Sequence, residues 1–134
     1  MPRRPKQFRP AGLPAQPSHA ERDALRGSAR ARGYTSGWDV RSLLFRQRHP
    51  LCLGCEALGI ITCTEVTDHI EPHKGNMAKF WDEDGNWQPA CGWCHNVLKK
   101  RLEHMWSRRE IEAKDMRLDS EVAVRVAREL RALN

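Results

Sequence analysis

Cys52-Leu53-Gly54-Cys55 and Cys91-Gly92-Trp93-Cys94-His95 decide how this chain folds. Two Cys-x2-Cys spacings supply four thiolates, the set that a tetrahedral zinc ion takes in a closed structural site. One such pair is a weak signal; two in one basic chain are a strong one, with a redox pair or disulfides as the competing readings. Everything between Cys55 and Cys91 then becomes an excursion that begins and ends at the metal. The second pair runs straight into a helix, so the metal also fixes where that helix starts and where His95 points. The fifth cysteine, Cys63, is left over and reads as a small buried hydrophobe.

A staple suits the composition. The chain has 134 residues, 40% apolar and 30% charged, which fits one compact domain with tails and a small core, and small cores usually need a metal or a disulfide. There is no N-terminal apolar segment of the signal-peptide kind and no apolar run of membrane-spanning length. The expectation is a cytoplasmic protein without membrane contact, where thiols stay reduced and paired cysteines hold metal. The net charge of +6 is unevenly placed: residues 1–32 carry eight Lys/Arg against Glu21 and Asp23, and the remainder balances at fifteen against fifteen. A basic arm on a neutral body points to a polyanion, nucleic acid first, with a solvated, disordered tail as the plainer alternative.

Four regions follow. Residues 1–17, with five prolines, read as a disordered basic arm. Residues 18–50 read as N-terminal helices: Ser18 with Glu21 is a capping-box signature for a helix to about Arg32, stopping at Gly33. A second helix fits Trp38 to Arg48, with Val40, Leu43 and Leu44 as its apolar positions and His49-Pro50 as its end. Residues 51–106 hold the cysteines, a β-prone stretch from Ile60 to Ile70, a long loop over 71–90, and a helix from Cys94 to about Trp106. Residues 107–134 form a helical extension capped by Asp119 or Ser120, whose Val122, Val126, Leu130 and Leu133 make one apolar stripe. That stripe fits core packing or a partner helix.

The excursion contains Val66-Thr67-Asp68-His69-Ile70-Glu71-Pro72-His73-Lys74-Gly75, and later Gly85-Asn86-Trp87-Gln88-Pro89. Asp68 is a hard oxygen ligand beside His69, an imidazole able to act as a base near neutral pH. Each has an innocent reading alone: His69 as a satisfied core histidine, Asn86 as a turn residue, His95 as a hydrogen bonder at a helix start. Adjacent residues of a regular strand point to opposite faces, so Asp68 and His69 can serve one substrate only if the strand ends, twists or bulges there.

Order and spacing change the weighing. Asp68-His69 at a strand end, then Asn86-x-Gln88, then Cys91-x2-Cys94-His95 resembles the HNH endonuclease superfamily, and more narrowly its phage- and prophage-type subgroup with four zinc-binding cysteines. The likeness runs from about Tyr34 to Glu103 and takes in Trp38, His49-Pro50-Leu51-Cys52, Ile70-x-Pro72-His73-x-Gly75 and Phe80-Trp81. It implies an α+β fold with a small zinc-stapled ββα-metal (HNH, or His-Me finger) core and flanking helices. It implies a structural zinc on Cys52, Cys55, Cys91 and Cys94. It implies hydrolysis of DNA phosphodiester bonds with His69 as general base, Asn86 as the central asparagine, and Asp68 with His95 as ligands of one catalytic Mg²⁺ or Mn²⁺. The partner would be double-stranded DNA, held also by Arg3, Arg4, Lys6, Arg9, Lys99, Lys100 and Arg101. A phage setting would add the genome-packaging machinery.

The likeness has departures. Lys99 stands where some relatives carry a second histidine one turn along the helix, and Asn76 where many carry an acidic residue. Two other classes stay open: a zinc-stabilised DNA-binding module that grips without cutting, and a protein–protein adaptor on a zinc ribbon. The four cysteines serve all three, whereas Asp68, His69, Asn86 and His95 in order serve only the enzyme.

Overall fold

The computed structural model of this α+β chain describes residues 15–133. The basic residues Arg3, Arg4, Lys6 and Arg9 therefore lie outside the described residues. The Ser18 hydroxyl accepts from the Glu21 N–H at 3.2 Å while the Glu21 carboxylate accepts from the Ser18 N–H at 2.6 Å, the reciprocal cap that starts α1 (His19–Arg26). The helix stops at Gly27, whose φ of 78° leaves the helical region, and so falls short of the expected Arg32. A turn then reaches Gly33 at φ 101°, where a Cβ would stand 3.1 Å from the Phe80 ring. Both the positive φ and the close approach require glycine there.

The next helix, α2 (Ser36–Arg48), buries Trp38, Ser42 and Phe45. Val40, Leu43 and Leu44, expected to face inward, are instead 58%, 48% and 46% exposed. The reason is area: Trp and Phe each remove about 150–250 Å² from water, more than a Val or Leu, and set which side of the helix turns in. The segment beyond the first cysteine pair, which carries the short α3 (Leu53–Ala57), also departs from expectation. Only β1 (Val66–His69) of the β-prone stretch is strand, and Ile61 is 84% exposed. Cys63 is exposed, not buried: its stretch runs along the surface, joined through the isolated bridge Leu51–Cys63 and the Thr64 hydroxyl's bond to the His49 carbonyl.

Residues 71–90, expected as loop, contain α4 (Met77–Phe80), α5 (Glu83–Asn86) and β2 (Trp87–Ala90). The Asn76 side chain caps the first and Asp82 the second, local bonds that make single turns affordable inside an irregular segment. β2 pairs antiparallel with β1, setting Asp68 opposite Gln88 and His69 opposite Trp87 in a two-stranded sheet. A π-turn, Cys94–Leu98, leads directly into α6 (Lys99–Ser107), and a 3₁₀ turn (Ala113–Met116) precedes α7 (Glu121–Ala132), which Ser120 caps. Of the expected stripe on α7, Val126 is buried and Val122 and Leu130 half-buried, but Leu133 is 81% exposed; Ala123 and Ala127 complete the inward face.

The interior has two parts. One gathers the four cysteines, Leu98, Leu102, Met116, Leu118 and the inward face of α7; the other is aromatic, with Trp38, Phe45, Phe80 and Trp87. A buried polar layer of Thr67, Asp68, His69, Gln88 and Lys99 accompanies the sheet. Among the described residues no helix is long and apolar enough to cross a membrane.

Gly54 is where packing at the cysteines is tightest, since an added Cβ would lie 2.9 Å from the Cys94 sulfur and 3.3 Å from Leu118. Gly54→Ala should destabilise the chain by about 1–3 kcal/mol through overpacking. A thermal melt of the two proteins checks this, and an unchanged midpoint would mean that the cysteine pairs are more loosely packed than these contacts require.

Candidate functional site

Cys52, Cys55, Cys91 and Cys94 are all buried, and their sulfur atoms lie within 4.8 Å of one another. Cys55 stands 3.7 Å from Cys91 and 3.9 Å from Cys94, sulfur to sulfur. A tetrahedron of sulfurs around zinc, with Zn–S about 2.3 Å, has edges of roughly 3.8 Å, so the spacing and the soft donor set both fit a structural zinc. Thiols this close cannot all ionise without a cation. A hydrogen bond with Cys94 pushes the Cys52 thiol down to about 4, and the same bond, with burial, pushes Cys94 up. Burial raises Cys91 as well.

Asp68 is the second focus. β1 carries its carboxylate into the interior, where one oxygen lies 2.7 Å from His95 Nδ1. The other oxygen accepts from Gln88 Nε2 at 2.8 Å and lies 3.4 Å from the Lys99 ammonium. Burial alone would raise Asp68, but the bonds from His95 and Gln88 and the charge of Lys99 outweigh it and hold the carboxyl below its usual range. Gln88 uses its whole amide: Nε2 also donates to the Met116 carbonyl at 3.3 Å, and Oε1 accepts from the Leu118 N–H at 2.9 Å. It thus ties the carboxylate to the segment before α7.

His69 closes β1. Its Nε2 lies 2.9 Å from the Phe80 carbonyl, which can only accept, so that nitrogen carries the proton and Nδ1 keeps the lone pair. The Trp87 indole donates to the same carbonyl at 2.7 Å, and the imidazole stacks on Trp38 at 5.1 Å between centroids. Burial lowers the His69 pKa below its usual value, against the raising effect of the Phe80 carbonyl. Asp68 and His69 both line one cleft of about 1290 Å³, together with Tyr34, Trp38, His73 and His95.

Asn86 makes no bond to His69. Its Oδ1 accepts from the Glu71 N–H at 2.8 Å, and its Nδ2 donates to the carbonyls of Glu71 and Lys79, both at 3.0 Å. It ties the segment just after β1 to α4. Lys99, expected at a phosphate, is instead buried at 2% exposure, its ammonium taken by the His69 carbonyl, Glu103 and Asp68. Lys100 and Arg101 are exposed on α6.

One site residue, Arg32, carried no separate signal in the sequence. Arg32 lines the cleft with its guanidinium 5.5 Å from the centre of the Tyr34 ring, and its Nε is buried without a hydrogen-bond partner among the described residues. The Tyr34 hydroxyl lies 3.2 Å from His73 Nε2, and burial, then Arg32, lowers His73. Arg32 stands in an arginine-rich run, and only the turn at Gly33 separates it from its neighbours. No periodicity would have singled it out.

Two outcomes follow from this geometry. Metal analysis of protein purified without added metal should give one zinc per chain, lost in Cys55→Ser or Cys94→Ser; unchanged zinc in both variants would refute a cysteine site. In the zinc-loaded protein without other divalent ions, the His69 ring should titrate below about 6.5, its unperturbed value. A lowered folded pKa means that its contribution to stability is present above about 6.5 and declines as pH falls through that value. An NMR titration reads the midpoint, and one at or above 6.5 would show that burial is not the dominant influence. Compared with protein-family models, curated proteins and solved structures, the chain matches none.

Proposed function

We propose that the chain is a metal-dependent HNH-type endonuclease that hydrolyses DNA phosphodiester bonds. The observation that carries the reading is His69: an imidazole with its Nε2 proton engaged by the Phe80 carbonyl, opening on the cleft that Asp68 and His95 share. Held neutral by burial, it is suited to take a proton from water as the oxygen attacks phosphorus and the bond to the leaving 3′ oxygen breaks. Asp68 and His95 offer one carboxylate and one imidazole, a donor set that fits Mg²⁺ or Mn²⁺ with positions left open. Such an ion supplies charge stabilisation to the phosphate and the leaving oxygen. Asn86 keeps the segment after β1 in place, and Arg32 is available to grip a neighbouring phosphate. In this reading the core is a ββα-metal unit, with β1, β2 and α6 as its parts and the basic arm as an added phosphate contact. The resemblance to the phage- and prophage-type subgroup points to genome packaging or DNA mobility as the setting.

One observation favours the second reading, a DNA-binding module that does not cut. The Lys99 ammonium already stands 3.4 Å from Asp68 and competes with a dication for that carboxylate.

A plasmid-nicking assay with and without Mg²⁺ or Mn²⁺ decides between them. The endonuclease should nick only with the ion, and His69→Ala should lower the rate by about 10²–10⁴ while DNA affinity and zinc content persist. Arg32→Ala should raise the DNA concentration for half-maximal nicking and flatten the salt dependence of log K by about 0.9 per lost phosphate contact. Binding without nicking by the wild-type chain would select the second reading.

A further inference from the structure

Arg131, near the end of α7, sits against both cysteine pairs at once. Its Nη2 lies 3.6 Å from the Cys55 sulfur in the first pair. Its guanidinium carbon stands 4.1 Å above the ring of Trp93, which lies between Cys91 and Cys94 in the second. Its Nε is buried and has no hydrogen-bond partner among the described residues. A buried donor without an acceptor is a cost, and an arginine tolerates it only where its other contacts fix the group in place. Here those contacts are a sulfur and an aromatic face.

Four thiolates around a dication leave a net charge of −2 in a site from which water is excluded. A guanidinium donating to one sulfur offsets part of that charge, and stacking on Trp93 holds it there. We propose that Arg131 is an outer-sphere positioning residue of the zinc site, which slows loss of the metal and ties the end of α7 to it. The inference rests on the four-cysteine site and is independent of the nuclease reading. Lysine cannot take this place, because its ammonium has no planar face to lie on the indole while a second edge reaches the sulfur.

The test is competition for zinc between a chromogenic chelator and the full-length chain. Arg131→Ala should weaken zinc binding by about 10–100-fold, the usual effect of removing an outer partner of a metal ligand. Arg128→Ala, an exposed position on the same helix, should match wild type. Arg131→Lys, which keeps the charge and the helix propensity, should also bind zinc more weakly. A cadmium-substituted sample gives a direct reading, since the ¹¹³Cd resonance should move in Arg131→Lys and stay in Arg128→Ala. Wild-type affinity in Arg131→Ala would overturn the proposal, as would equal losses in Arg131→Ala and Arg128→Ala. If Arg131→Ala does not fold, Arg131→Lys decides, and wild-type affinity with an unmoved resonance would refute the role.

Discussion

Four sulfur atoms within 4.8 Å of one another close the segment from Cys55 to Cys91 into a loop with a fixed origin. Both strands and the turns α4 and α5 lie on that loop, and the helix that carries His95 and Lys99 leaves directly from its end. Among the described residues the sheet has two four-residue strands, and its alignment with the helix is set by the apolar cluster around these cysteines and by the bonds of Asp68 to His95 and Lys99. A zinc ion at the cysteines would make that alignment a matter of coordination chemistry, with binding energy entering directly into folding.

The alignment matters because of Asp68. A carboxylate this deeply buried persists in its charged form only when it is bonded on several sides, and its partners come from β2, through Gln88, and from the helix start, through His95 and Lys99. Gln88 extends the same network to Met116 and Leu118, so the C-terminal extension is joined to the site and not merely packed beside it. On the other side of the sheet's end, His69 is held by a carbonyl and by stacking on Trp38. One residue faces charge, its neighbour faces aromatic rings, and both line one cleft.

Lys99 belongs to the same network. A cation inside the protein takes up part of the Asp68 charge, and Glu103 balances it four residues along α6. Asp68, Lys99 and Glu103 thus form one ion-pair cluster. An incoming dication would have to compete with an internal ammonium, and the proposed chemistry would depend on the balance between the two.

Much of this was legible in the sequence, and the limits have physical causes. The cysteine spacings and the Ser18–Glu21 cap are local or fixed by ligand chemistry, so the residues alone reveal them; Asp68, His69, Asn86 and His95 stood out together only through a family resemblance, and of these Asp68, His69 and His95 line one cleft while Asn86 bonds Glu71 and Lys79. Which side of α2 turns inward was not legible, because Val40, Leu43 and Leu44 lost to the larger aromatic area of Trp38 and Phe45. Nor was β2, whose short run ending in Pro89-Ala90 gains strand geometry only by pairing with β1. The burial of Lys99 against Asp68, the role of Gln88 and the bridging position of Arg131 arise from contacts between residues far apart in the chain. The sequence by itself determined which thiol, carboxylate and imidazole groups are present; the tertiary structure decided which of them meet, because burial and ion pairing depend on what lies opposite.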